Sequence, residues 1–308
     1  MPIRRLSLLL ALTAAFLGAA AASAGGVPAA VVSYSARPAP AVDAYARPGN
    51  VIIVTMDMRV RDPKRIKRWR KKGAIVLAYV NGVDYPDRAL GPLEKRLYGG
   101  AFPTSRWLYP GAPSNWPGTR LLDLRANSKV ARYRGFRGRW GDYVARFIKR
   151  QVIRDGSLFN GVFLDVWGDR VWALGIGGRG TAWDRGVVRW SRAIRAQVGK
   201  RIYVVANNTP SPAAARYLNG RMYESFESRR SGWNHLTGKG ETPGLLPLMR
   251  WRWASPRLMI LWRNEASPDS GTKNMLLGAA RRASRTGRDV AVGSSDHHYG
   301  IPAPFAGR

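Results

Sequence analysis

The chain contains no cysteine. Disulfide scaffolds, zinc–thiolate sites, iron–sulfur clusters, cysteine nucleophiles and a lipidated N-terminal cysteine are therefore excluded. Histidine is scarce, with 3 in 308 residues, and no H-E-x-x-H or similarly spaced ligand pair occurs. His297 and His298 adjoin Asp296, but adjacent side chains on an extended segment point to opposite sides, so the reading includes no metal site. Negative charge is also in short supply: 19 Asp+Glu stand against 51 Lys+Arg, a formal charge of +32. That excess is mostly arginine scattered along the chain, unlike the clustered basic arm of a specific nucleic-acid binder. No uninterrupted apolar run approaches the ~20 residues of a membrane span.

What is present points to a large core. Hydrophobic residues make up 45% of the chain, with 12 Trp and 12 Tyr, which excludes disordered and low-complexity classes. Arg4 and Arg5 precede an apolar run over 6–18, and Ala22-Ser23-Ala24 follows as a small-residue cleavage site. Residues 1–24 thus read as a signal peptide, and the protein as secreted or extracytoplasmic. Leu6-Ser7-Leu8 lacks the usual continuation of a twin-arginine signal, which favours general secretion. Residues 25–49, rich in Ala, Pro and Val and including Arg37-Pro38-Ala39-Pro40, read as a linker or extended arm.

From residue 50 to 308 the texture is that of one domain. Short strand-like runs occur over 51–57, 74–80, 121–124, 161–165, 201–206, 221–223, 258–262 and 289–293. Helical patterns over 64–72, 88–98, 140–153, 183–198, 212–218, 245–253 and 273–284 separate them. Eight alternations in some 250 residues predict an α/β fold, a single (β/α)8 TIM barrel. An open doubly wound sheet lacks its main support, because Gly175-Ile176-Gly177-Gly178 does not join a strand directly to a helix.

Polar residues gather at the C-terminal strand ends: Asp57, Asn81, Asp123, Asp165, Asn207, Glu224, Glu265 and Asp296. Barrel enzymes place their chemistry on that face. Any one of these residues could be a cap or a turn residue. Several carboxylates around one mouth must be separated, neutralised or shifted in pKa, and glycoside hydrolysis uses such a pair. Alternation places Asp165 on the same side as Phe163, facing inward. Glu224 ends the sixth run; Glu227 has opposite parity, and Glu265 is a third candidate.

The segment Asn160-Gly161-Val162-Phe163-Leu164-Asp165-Val166-Trp167 resembles the fourth-strand motif of TIM-barrel glycoside hydrolases related to endo-α-1,4-polygalactosaminidases. Leu77-Ala78-Tyr79-Val80-Asn81-Gly82, Asn207-Asn208 and Asn219-Gly220 before Tyr223-Glu224 extend the resemblance over roughly residues 50 to 300. It implies Asp165 as nucleophile or stabilising carboxylate and Glu224 as acid/base. Asp57, Asn81 and Asn207 would then contact substrate, and Tyr79, Trp167, Glu265 and Asp296 are further candidate contacts. Asn160 stands where the motif more often has Asp, and Val166-Trp167 replaces small polar residues, a change that would reshape a subsite.

Trp107, Tyr109, Trp116, Trp167, Trp172 and Trp233 fall in predicted loops, where aromatic rings could stack on sugars or anchor the loops. Trp69, Trp140, Trp190, Trp251 and Trp253 fall on predicted helices and read as outer core. The expected function is therefore two-carboxylate cleavage of an envelope or extracellular polysaccharide by a monomer, with no cofactor and no specific nucleic-acid partner. A polymer of free amino sugars would be repelled by the positive charge, so an N-acetylated or anionic glycan suits it better. The alternative is a noncatalytic carbohydrate or cell-wall binder on a hydrolase-like barrel.

Overall fold

The computed structural model describes residues 26–35, 37–86, 91–98, 107–113, 119–154, 158–171, 175–207, 210–224, 245–263, 269–285 and 289–294. Eight strands form one all-parallel sheet in chain order: β1 (Ala30–Ser33), β2 (Val51–Thr55), β3 (Ile75–Asn81), β4 (Gly161–Asp165), β5 (Tyr203–Asn207), β6 (Gly220–Tyr223), β7 (Leu258–Arg263) and β8 (Asp289–Ser294). A parallel bridge between Ala29 and Val292, with Val292 N–H donating to Pro28 O at 2.9 Å, brings the last strand back to the first. The fold is an α/β TIM barrel.

Strand alternation divides the core in two. Ala30, Val32, Val51, Ile53, Leu77, Phe163, Val205, Met222, Ile260 and Ala291 fill the barrel interior. Their neighbours in sequence, such as Val31, Ile52, Val76, Val162, Leu164 and Val204, face outward into the layer shared with the helices. Both faces are buried, which is why the strands read as continuous apolar runs. Helices Pro63–Lys71, Trp140–Phe147, Ala182–Val198 and Ser270–Ser284 bury one stripe each; in the first of these the stripe is Ile66 and Trp69. Among the described residues no helix is long and apolar enough to cross a membrane.

Two expectations are corrected. The segment 25–49 is not a free arm, because Val31 and Val32 sit in β1, paired with β2 from Ala30↔Val51 to Ser33↔Val54. A 3-10 helix, Pro40–Tyr45, follows it. Arg65 fastens this segment by donating to Pro38 O, Ala39 O and Asp43 Oδ1 at 2.6, 2.8 and 2.9 Å. Four strand residues between proline-rich flanks carry little local signal; pairing with β2 and β8 makes the strand. The run over 121–124 is the converse case. Its strand, Thr119–Leu122, pairs antiparallel with Asp84–Pro86 and Leu108–Pro113 in a small sheet outside the barrel. An apolar run of that length satisfies either sheet equally, and the long connection from β3 to β4 supplied antiparallel partners.

At the N-terminal end of the barrel, one device recurs on alternate strands. Asn50, Asn160 and Asn219 stand immediately before β2, β4 and β6. Their side-chain oxygens accept the backbone N–H of Ala29, Val76 and Val204 on the neighbouring strand, at 2.8, 2.9 and 2.7 Å. The glycine after Asn219 lets strands approach closely: a Cβ on Gly220 would lie 1.6 Å from the Leu258 carbonyl oxygen. Asn160-Gly161 and Asn219-Gly220 are thus barrel-building pairs, and Asn160 accepts a hydrogen bond that any side-chain carbonyl or carboxylate oxygen could accept.

Candidate active site

Period-two alternation carries the inward-facing side of each strand to the C-terminal mouth. Beyond Phe163, Val205 and Met222 the next inward positions are Asp165, Asn207 and Glu224. Three adjacent strands, β4, β5 and β6, therefore deliver two carboxylates with an amide between them.

Three donors converge on the Asp165 carboxylate: Tyr79 Oη at 2.5 Å, Asn207 Nδ2 at 2.7 Å and the Val166 backbone N–H at 2.9 Å. The Asn207 side chain also hydrogen-bonds Glu224 in the sense that favours its charged form, so the amide serves both acids. Even so, Glu224 has its pKa raised from 4.5 to about 7. Burial is the largest cause and the nearby Asp165 charge the second; the Asn207 contact and the Arg221 guanidinium pull it back only in part. Arg221 lies behind Glu224 on the outward side of β6, buried over the Tyr223 ring at 4.3 Å.

Tyr79 is held in turn. Its ring meets Tyr34 edge-on at 4.4 Å and stacks on Phe163 at 6.2 Å. Burial, then the Asp165 charge, hold its hydroxyl well above its ordinary pKa of 10.0, so it stays a proton donor to Asp165. Trp262, at the inward end of β7, completes the layer, 3% exposed. Opposite it stands Gly293, whose Cβ would fall 2.4 Å from the indole, so the ring occupies the space that a side chain there would fill. Sequence reasoning missed Tyr34 and Trp262. The alternation that placed Asp165 points to both, once β1 is recognised and β7 is followed to its end.

The other expected contacts divide. Asp57 is buried, 1% exposed, and accepts the Leu93 N–H at 2.5 Å at the start of helix Pro92–Tyr98. That contact ties its Oδ1 to the scaffold. Asn81 accepts Val83 N–H and Asp84 N–H at 3.1 and 2.9 Å, closing the turn after β3. Trp167 is fully buried and donates to Ser191 Oγ at 2.9 Å, packed against Gly82, so it is no exposed platform. The cause is local: Val166 has φ of 54°, a left-handed conformation costly for a β-branched residue. That turn aims the Val166 N–H at Asp165 and is followed at once by the buried indole. Asp123 belongs to the small outer sheet region, paired with Arg125 at 2.7 Å. Trp107 is buried and donates to Gly138 O at 3.1 Å, and Tyr109 lies under the Arg125 guanidinium at 4.4 Å. Trp69, Trp140, Trp190 and Trp253 are buried, and Trp251 packs partly buried against the core. Glu265, Asp296, Glu227, His297, His298, Trp116, Trp172 and Trp233 lie outside the described residues. Among the described residues no group of three His, Asp or Glu could hold a metal ion.

No protein-family model matches the chain, and no curated protein matches it significantly in sequence. Solved structures do. The glycoside hydrolase domain of PelA from Pseudomonas aeruginosa superposes with a TM-score of 0.56 at 13% identity, over 90% of this chain and 98% of that one. A GH31 dextranase of Flavobacterium johnsoniae, FjDex31A, gives a TM-score of 0.53 at 11% identity, over 90% of this chain and 37% of that one. At these identities the likeness is one of fold.

Proposed function

We propose that this protein is a secreted glycoside hydrolase that cleaves a glycosidic bond within a polysaccharide, with Glu224 as general acid and Asp165 as nucleophile. The observation that carries the reading is the Asn207 amide shared between two acids in different environments. Glu224, buried and raised to about 7, holds a proton near neutral pH and can give it to the leaving glycosidic oxygen. Asp165, surrounded by donors, is arranged as the charged partner, ready to attack the anomeric carbon as the bond to the leaving oxygen breaks. Glu224, deprotonated after the first step, would then take a proton from the water that releases the sugar from Asp165.

The resemblance to polygalactosaminidase-related hydrolases and the two glycoside hydrolase folds support this class of reaction. The test is turnover of a panel of polysaccharides by wild type, Glu224→Gln and Asp165→Asn. Each variant is expected to lose ~10²-fold or more in kcat while remaining folded. A fully active Glu224→Gln protein overturns the assignment.

A further inference from the structure

Helix Pro63–Lys71 reads PKRIKRWRK and is followed by Lys72. Its apolar residues Ile66 and Trp69 are buried against the barrel. Lys64, Lys67, Arg68, Lys71 and Lys72 are exposed, as is Arg61 just before the helix. Positions 64, 68 and 71 recur at helical spacing within Pro63–Lys71 and share one face. The neighbouring acids are turned to the scaffold: Asp62 accepts the Arg65 N–H at 3.0 Å, and Asp43 accepts Arg65 Nε and Trp69 Nε1. Lys64, Lys67, Lys71 and Lys72 have no ion-pair partner among the described residues. Like charges three and four residues apart destabilise a helix, a cost that the last-turn position of Arg68 and Lys71 and the Asp43 charge near Arg68 offset in part.

A basic cavity lies beside the start of the helix and an open basic depression beside its end. One, of about 440 Å³, is lined by Arg37, Arg61 and Arg65 with Asp62. The other, of about 470 Å³, is lined by Lys67, Arg70 and Lys71. The first lies on the mouth side: Arg37 is three residues beyond Tyr34, and Met58, which also lines it, comes just after β2.

We infer that this face, with the cavity and the depression beside it, is a docking track for an anionic polysaccharide chain. The inference rests on the polysaccharide reading of the mouth, which it extends outward along the barrel wall. The helix exposes no aromatic side chain for base stacking. It exposes no apolar side chain for membrane insertion either, and Val60 in the preceding turn is too little for that. What it offers is cationic groups recurring about once per ~5.4 Å turn. That rhythm suits carboxylate, sulfate or phosphate groups spaced along a glycan.

The test measures affinity of the full protein for polygalacturonate. One variant combines Lys64→Ser, Arg68→Ser and Lys71→Ser. A control combines Lys129→Ser, Arg132→Ser and Arg137→Ser, exposed positions around the hairpin of residues 131–138. Both remove the same charge. Binding by wild type should weaken by about tenfold between roughly 50 and 200 mM salt. The helix variant should bind about tenfold more weakly than wild type, and the hairpin variant within about twofold of it. Equal losses in both variants would reduce the effect to net charge and overturn the inference. Tighter binding to DNA than to polygalacturonate, with the same dependence on the helix, would overturn it in favour of nucleic acid. Should the triple variant not fold, Lys67→Glu and Lys71→Glu singly carry the same test. No turnover is needed, so an inactive mouth and a failed track are distinguishable: the track variant should still cleave a small neutral glycoside as wild type does.

Discussion

Replacing Glu224 by glutamine should make the folded protein more stable while removing its chemistry. The rise from 4.5 to about 7 means that the folded environment disfavours the charged carboxylate. Since the folded value lies above the unfolded one, the destabilisation is absent below about pH 4.5, grows as pH rises to about 7, and stays constant above. At ~1.4 kcal/mol per tenfold change in the protonation equilibrium, its ceiling is about 3 kcal/mol. Glutamine keeps the shape and the acceptor for Asn207 but never ionises, and its NH2 group needs a partner of its own. The expected gain is therefore about 1–3 kcal/mol at pH 8 and near zero at pH 4. Urea unfolding of wild type and variant at those two pH values reads it directly. At pH 8 the gain should raise Tm by roughly 2–4 °C per kcal/mol. A variant no more stable than wild type at pH 8 would show that Glu224 is not held in a charge-disfavouring site. The argument for its role as acid would then fall.

Further outcomes follow from the same contacts. Tyr79→Phe removes one of three donors to Asp165 but keeps the ring packing, so kcat should drop about 10–100-fold with little change in Tm; unchanged turnover would remove Tyr79 from the site. Asp165→Asn takes away the charge that is the second cause of the raised Glu224 value. NMR titration of Glu224 in that variant should give a lower pKa than in wild type, and an unmoved value would mean that the two acids are not coupled. Gly220→Ala places a methyl 1.6 Å from the Leu258 carbonyl, forcing β6 from β7. A loss of about 2–4 kcal/mol in urea unfolding is expected, and a neutral substitution would refute the tight strand contact.

Seven of the eight barrel strands were legible because burial on both faces writes a short, largely apolar run into the sequence. The eighth, Ala30–Ser33, was not. Its four residues lie between prolines, and its partners sit 21 residues ahead in β2 and at the far end of the chain in β8. Leu121–Leu122 looked like a barrel strand because apolarity reports burial and not which sheet does the burying. At the mouth, alternation was enough to aim Asp165 inward from Phe163. It could not tell that Asp57 would cap a helix beginning 35 residues later, or that Val166 would turn left-handed and bury Trp167.

Sequence alone thus determined the repeating βα order, the parallel barrel and the polar residues at its strand ends, since local periodicity encodes which face of each element is buried. Tertiary structure decided which of those polar residues meet. Asp165, Asn207 and Glu224 come from strands separated in sequence by helices, and only the side-by-side pairing of β4, β5 and β6 sets one amide between two acids. Their unequal chemistry is decided at the same level, because burial and a neighbouring charge are properties of the assembled mouth and of no segment by itself.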